Sequence, residues 1–283
     1  MTGIKNFRNL VLLCGIFVLG LSHALAACEP EKALQKYPIY SKRPVQVATP
    51  TTIPPFAFSD PTNLEQMAGL EIEMIEFVMR CAGLNYQYVK GPFSALIQST
   101  MSGSTDVMIG NVNYLPERAK RVDFIAYLRS GQSLIVPKGN PKKLTAVESL
   151  CGLKASSTVG GASSAEIERR SADCVKAGKS PINYIPSVDQ EAAVRQLSNG
   201  RIDFVMDGSI SAKKRVAVHS ADIDLSFTIL TDLVIGPVVR KDNTEMRQAV
   251  LEGMQAMERE GKLKTLLAKY ELTEFARPVE LRP

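Results

Sequence analysis

Asp106-Val107-Met108-Ile109-Gly110-Asn111-Val112-Asn113-Tyr114-Leu115-Pro116-Glu117-Arg118-Ala119-Lys120-Arg121-Val122-Asp123-Phe124 is the stretch that decides how this chain folds. Asp106 to Gly110 reads as a buried strand that stops at a glycine. Pro116 fits the first turn of a helix, where a backbone N–H would have no partner anyway. Upstream the same alternation holds. Val45-Gln46-Val47-Ala48-Thr49 is a strand, and Glu71 to Ala82 carries Met74, Ile75, Val78, Cys81 and Ala82 on one helical face before Gly83 ends it. Asn85 to Val89 alternates as a strand, and Phe93 to Met101 reads as a helix. Strands interleaved with helical connectors predict an α/β domain with a largely parallel sheet.

Downstream the plan repeats. Lys154 to Val159, Ile182 to Ile185 and Ile202 to Met206 are expected strands; Ser164 to Ala177 and Glu191 to Ser198 are expected helices, the latter closed by Gly200. Two segments echo each other around this unit, Val136-Pro137-Lys138-Gly139-Asn140 before it and Val239-Arg240-Lys241-Asp242-Asn243 after it. They are read as paired crossover strands leading to a second lobe and back. Glu245 to Glu260 and Lys262 to Tyr270 are helices that return to the first lobe. Residues 28–43, with Pro30 and Pro38, read as an extended lead-in. The expected organisation is a leader over 1–27, lobe 1 over 28–135, lobe 2 over 136–238 and a return to lobe 1 over 239–283. Two lobes on two hinge strands enclose a cleft suited to closing on a ligand.

The 283 residues carry 34 Lys+Arg against 29 Asp+Glu, a formal charge of +5. Lys5 and Arg8 precede an apolar run, Leu10 to Leu21, and small residues at Ala24-Leu25-Ala26-Ala27, the order of a secretory signal. Without that leader 32 basic residues face 29 acidic ones, a net +3, too weak for a nucleic-acid partner. Of the two histidines, His23 falls in the leader, so a multi-histidine metal site is excluded and a Ser-His-Asp triad would have to use His219. Loss of Cys14 leaves Cys28, Cys81, Cys151 and Cys174, an even number for an oxidising compartment. Of three possible pairings, Cys28–Cys81 with Cys151–Cys174 keeps each bridge in one half of the chain. Leu25-Ala26-Ala27-Cys28 also resembles a bacterial lipobox, which would make Cys28 a lipidated first residue. No metal or cofactor is expected.

Within the opening stretch, Asn111 and Asn113 are two apart and would point the same way in extended chain, with Arg118 near the same strand tip. Such an arginine could grip a carboxylate through two parallel N–H···O bonds; alternatively Asn113 caps the helix and Arg118 is solvated beside Lys120 and Arg121. Ser163 and Glu166 have capping-box spacing, so Ser163 is expected to open a helix behind Gly160 and Gly161. Such an N-terminus also suits a carboxylate.

The run PERAKRVDF, residues 116–124, resembles the signature of bacterial family-3 extracellular solute-binding proteins. Thr52 to Phe58, Gly69-Leu70-Glu71-Ile72-Glu73, Pro92-Phe93-Ser94-Ala95-Leu96-Ile97 and Asn199-Gly200-Arg201-Ile202-Asp203-Phe204 are similar to further motifs of that family, in order, over about residues 45–272. The resemblance implies a two-lobed periplasmic-binding-protein fold and an exported receptor, active as a monomer, that delivers an amino acid to an ABC permease. It assigns Arg118 to the ligand carboxylate, Asn111 and Asn113 to ligand polar groups, Phe93 to the ligand side chain, and Gly161, Ala162 and Ser163 to the carboxylate. Ile53 stands where many relatives have an aromatic ring. Asp207 falls one residue before the family's ammonium-binding acid, with Gly208 in that place, and is taken as the ammonium ligand. The alternative reading is an exported dehydratase acting on a prephenate- or arogenate-like acid, for which Asp207, Glu166 or Asp189 would supply the acid or base.

Overall fold

A computed structural model describes residues 28–283; the expected leader over 1–27 lies outside them. Residues 28–43 are not extended. A 3-10 turn at Pro30–Lys32 leads into helix α1, Ala33–Lys36. The sequence is polar, but Tyr37 and Tyr40 bury their rings in the first core and Cys28 is bonded to Cys81, so the segment is fastened to the lobe.

Strand β1 (Val45–Thr49) is followed by β2 (Thr52–Ile53), β3 (Ala57–Asp60) and β4 (Asn63–Ala68), a small antiparallel sheet that the sequence reading did not anticipate. Helix α2 (Leu70–Ala82) buries its expected apolar stripe and stops at Gly83, whose φ of +67° is the left-handed conformation a glycine adopts without strain. Strand β5 (Tyr86–Lys90), helix α3 (Phe93–Ser102) and strand β6 (Val107–Met108) complete the first unit, with β1 between β5 and β6 and all three parallel. After the short helix α4 (Pro116–Ala119) comes the 16-residue β7 (Val122–Pro137).

The second unit is β8 (Lys154–Thr158), α5 (Ala162–Lys176), β9 (Asn183–Ser187), α6 (Gln190–Ser198), β10 (Phe204–Gly208) and α7 (Ser209–Val218), with β8 parallel to both neighbours. Cys151–Cys174 closes in this unit, giving the preferred cysteine pairing. Strand β11 (Ile223–Ile235) returns, followed by β12 (Val238–Arg240), α8 (Thr244–Arg259), α9 (Lys262–Lys269) and β13 (Ala276–Arg282).

The fold is α/β and two-lobed, each lobe a parallel three-stranded core completed by antiparallel crossing strands. The crossing runs through β7 and β11, paired antiparallel from Ile223↔Pro137 to Ile235↔Leu128. The echoed segments only border it. Val136-Pro137 is the far end of β7, and Val238–Arg240 has already rejoined β6 and β7 in the first lobe. Gly236-Pro237 separates the two. Proline has no N–H for the ladder, and a Cβ at Gly236 would sit 1.9 Å from the Ile125 carbonyl oxygen, so the chain passes there only without a side chain. By core membership Leu128 belongs to the first lobe and Leu134 to the second; on the return, Ile229 packs on the second and Ile235 belongs to the first.

Candidate functional site

Strands β6 and β10 end facing each other across the cleft. The turn after β6 is held by Glu71, fully buried in the first turn of α2. Its Oε2 accepts from the Gly110 and Asn111 N–H groups (2.9 Å for Asn111), and its Oε1 accepts from the Tyr127 hydroxyl at 2.8 Å. Burial pushes the carboxyl up from its ordinary range, against the pull of these three donors. Asn111 adopts φ +60°, so the expected extended-chain alternation of Asn111 and Asn113 does not occur. Both side chains nevertheless reach the cleft, because the chain turns at Asn111 and Asn113 Nδ2 donates to the Asn111 carbonyl at 3.0 Å. Asn113 caps nothing: the residue before α4 is Leu115, without a side-chain cap.

Arg118 is not solvated. It is 5% exposed, and its Nη1 donates to Asn113 O at 2.7 Å while Nη2 donates to Gly160 O in the opposite lobe. The guanidinium lies 5.4 Å from the centre of the Phe93 ring. Both hydrogen-bond partners are neutral carbonyls, and among the described residues no acid pairs with it. Burial without a counter-charge draws its pKa down from 12.5 to about 10.

Across the cleft α5 starts at Ala162 with Gly161 as its cap, two residues earlier than a Ser163 cap would place it. The capping box does not form. Ser163 lies inside the first turn and donates through Oγ to Gln132 Oε1 at 2.5 Å, while Glu166 binds Arg169 and Arg170. Glycine at the cap leaves the first N–H groups without a side-chain acceptor, aimed at the cleft.

Asp207 and Gly208 belong to β10, which begins two residues later than expected. Asp207 is 4% exposed; its Oδ1 accepts from Gly208 N at 2.8 Å and its Oδ2 from Arg215 Nε at 3.1 Å. Arg215, itself 1% exposed, also donates through Nη1 to Glu191, whose second oxygen meets His219 Nε2 at 3.2 Å. A chain of charges thus runs from the cleft to the half-buried His219. Asp189 is the cap of α6, accepting from Ala192 N at 2.7 Å.

Ile53, Phe93, Asn111, Asn113, Gly161, Ala162, Ser163 and Asp207 surround one cavity of about 50 Å³, joined by Thr158, Gln190 and Gly208. Arg118 stands behind it, bonded to Asn113 and Gly160. A roomier space of about 260 Å³ shares Ile53, Phe93, Thr158 and Gln190 and extends towards Pro50, Pro92 and Val188. Around the cleft the Oδ1 atoms of Asn111 and Asn113, Oε1 of Gln190 and Nε2 of Gln132 are buried without partners. Gln190 Nε2 is fixed on Met206 O at 2.9 Å, so its free atom is the acceptor. Gln190, Gln132 and Arg215 were not singled out from sequence: each sits in an ordinary helix or strand, and only the fold brings it to the cleft. No cluster among the described residues could hold a metal ion, and none of their helices is long and apolar enough to cross a membrane.

A sequence model of the bacterial extracellular solute-binding proteins, family 3, matches residues 45–273. The chain belongs to that family. It is a binding protein rather than an enzyme. The L-cystine-binding protein TcyJ of Escherichia coli (strain K12) is 24% identical over 220 residues, covering 77% of this chain and 79% of that relative. Among solved structures, an ancestral arginine-binding protein bound to arginine matches with a TM-score of 0.72 at 24% identity, over 80% of this chain and 97% of that one. The ancestral amino acid-binding protein AncCDT-1, a precursor of cyclohexadienyl dehydratase, matches with a TM-score of 0.72 at 21% identity, over 83% and 99%. These two likenesses describe the fold that the binding protein shares with them. In this chain none of the three acids a dehydratase would use is a free carboxyl, since Asp207, Glu166 and Asp189 are each engaged as described above.

Proposed function

We propose that this binding protein captures an amino acid or amino-acid-like solute between its lobes and delivers it to an ABC import permease. The observation that carries the reading is the buried Arg118 guanidinium, which has no acid beside it among the described residues. An uncompensated buried charge is costly unless something of opposite sign arrives. A ligand carboxylate beside Arg118 and the first N–H groups of α5 supplies it.

The opposite end of the cleft has the complementary excess. Asp207 and Glu191 share the single guanidinium of Arg215, leaving one negative charge over when His219 is neutral. One spare positive and one spare negative charge match a zwitterion. Asp207 then serves the ammonium together with the unpartnered Asn111, Asn113 and Gln190 oxygens, which need donors. Phe93 and Ile53 pack on the ligand side chain, and the space of about 260 Å³ beyond them admits a side chain longer than alanine's. The printed ligands of similar proteins, cystine and arginine, have such side chains.

The protein is exported by the leader over 1–27 and works in the periplasm as a monomer, its lobes hinged within residues 129–133 and 230–234. A sulfur bonded to Cys81 cannot also carry a thioether-linked lipid, so the Cys28–Cys81 bridge favours the soluble form over the lipoprotein.

The test is thermal unfolding of residues 28–283, stripped of solute, against a panel of amino acids, with prephenate turnover measured in parallel. A ligand at 100 times its Kd should add about 2.7 kcal/mol of stability. Stabilisation by one amino-acid class supports the reading. No stabilisation, with turnover of the aromatic-pathway acid, sinks it.

A further inference from the structure

Beside the crossing strands lies a cavity of about 720 Å³. Its walls come from both crossing strands and from the chain's last strand: Arg129 of β7, Val234 of β11, and Ala276, Arg277 and Arg282 of β13, with Tyr114 at its inner end. β13 pairs with β7 along Phe124 to Leu128, so it ends beside the hinge on the first-lobe side.

Three arginines line the cavity, and two of them share one acid. Glu280 accepts from Arg277 Nη2 at 2.6 Å and from Arg282 Nε at 2.9 Å. Arg129 is exposed and pairs with no acid among the described residues, and Arg277 Nε is buried without any partner. Against Glu280 and the carboxylate of Pro283, which also lines the cavity, the three arginines leave one positive charge and a buried donor inside a concavity. Planar, forked donors in that arrangement match oxygens of carboxylates and phosphates.

The cavity lies one residue away from the ligand site along the chain. Tyr114 N donates to Val234 O at 2.8 Å, and its neighbour Asn113, bridged to Ile235, reaches the cleft from the other side. Arg129 and Val234 are paired in the ladder where the two crossing strands leave the first lobe, so the cavity borders the hinge.

We propose that this hinge cavity binds a small multivalent oxyanion, and that the bound anion favours the closed lobes. The coupling to closure rests on the amino-acid reading above; the anion site does not. Carboxylate and phosphate share the required chemistry, so citrate and inorganic phosphate are the probes.

The experiment titrates each probe calorimetrically into the stripped protein at constant ionic strength set with sodium chloride, then repeats both titrations in R129Q/R282Q. These two residues are exposed and take no part in the cleft. Saturable binding of one probe, weakened about tenfold or more in the double variant, supports the site, since each lost charge-assisted pair is worth about a factor of ten. Citrate alone would name a polycarboxylate, phosphate alone a phosphate-bearing solute. No saturable binding below about 10 mM, a Kd corresponding to under ~3 kcal/mol, or binding unchanged in the variant, overturns it. The amino-acid affinity is measured with and without the probe. Linkage requires a bound closing anion to tighten it severalfold in the parent protein and not in R129Q/R282Q; an unchanged affinity removes the coupling and leaves the anion site standing.

Discussion

Replacing Arg118 by methionine separates its two roles. A drop in pKa from 12.5 to about 10 means that holding the guanidinium charged in its site costs about 3 kcal/mol, at ~1.4 kcal/mol per unit. Methionine removes that cost and keeps much of the contact with Phe93. It also leaves the Asn113 and Gly160 carbonyls without their donors, a loss of about 1 kcal/mol each. The two effects nearly cancel. The ligand-free variant should lie within about 1 kcal/mol of the parent, a shift of only ~2–4 °C for a protein of this size. Truncating one partner of a buried, hydrogen-bonded charge pair costs about 2–5 kcal/mol in binding. Amino-acid affinity should therefore fall roughly 30- to 5000-fold, and the ligand-induced rise in Tm should disappear. Thermal melts of the stripped protein with and without ligand, joined to calorimetry, read both quantities. A ligand-free Tm lower by about 8 °C or more would make Arg118 a structural brace and refute the reasoning. Retained affinity would place the ligand carboxylate elsewhere.

Binding should weaken as pH rises through about 10, because the carboxylate needs the charged guanidinium; calorimetry in buffers of different ionisation enthalpy should detect proton uptake there. Glu71→Ala leaves the Gly110 and Asn111 N–H groups and the Tyr127 hydroxyl without their acceptor, and should cost at least about 3 kcal/mol in urea unfolding, at ~1 kcal/mol or more per orphaned group. Glu71→Gln should cost much less. The folded carboxyl keeps its proton to higher pH than the unfolded one, so the parent loses stability as pH rises above 4.5 through the raised folded value; the glutamine variant should not. The mature protein should have the mass of an unlipidated chain with two disulfides, and C28S/C81S should lose about 4 kcal/mol for opening a link of sequence separation 53.

Elements with a complete local signature were legible in advance. Helix α2 has a one-sided apolar stripe and a glycine stop, and β1 is a short apolar run, so their bounds moved by no more than a residue. β11 and α7 were missed for the opposite reason. Ile223 to Ile235 mixes Asp224, Ser226, Thr228, Thr231 and Asp232 with apolar residues, because a crossing strand packs on different neighbours along its length. Ser209 to Val218 has a weak stripe, since its inward positions include Ser211 and the buried Arg215. The lead-in was misread because two buried tyrosines and a disulfide outweigh a polar composition.

The site divides along the same line. Sequence by itself determined the alternation of strands and helices, the parity of the cysteines, and the motif residues that stand at strand tips and helix starts, because these depend on neighbours within one turn or one strand. Tertiary structure decided what each of those groups meets. It buried Arg118 away from every acid among the described residues, tied Asp207 through Arg215 to Glu191, turned Asn111 left-handed on the Glu71 carboxylate, and brought Gln132 and Gln190 to the cleft with unpaired atoms. Burial and charge pairing are properties of groups far apart in the chain, and no local pattern encodes which of them will meet.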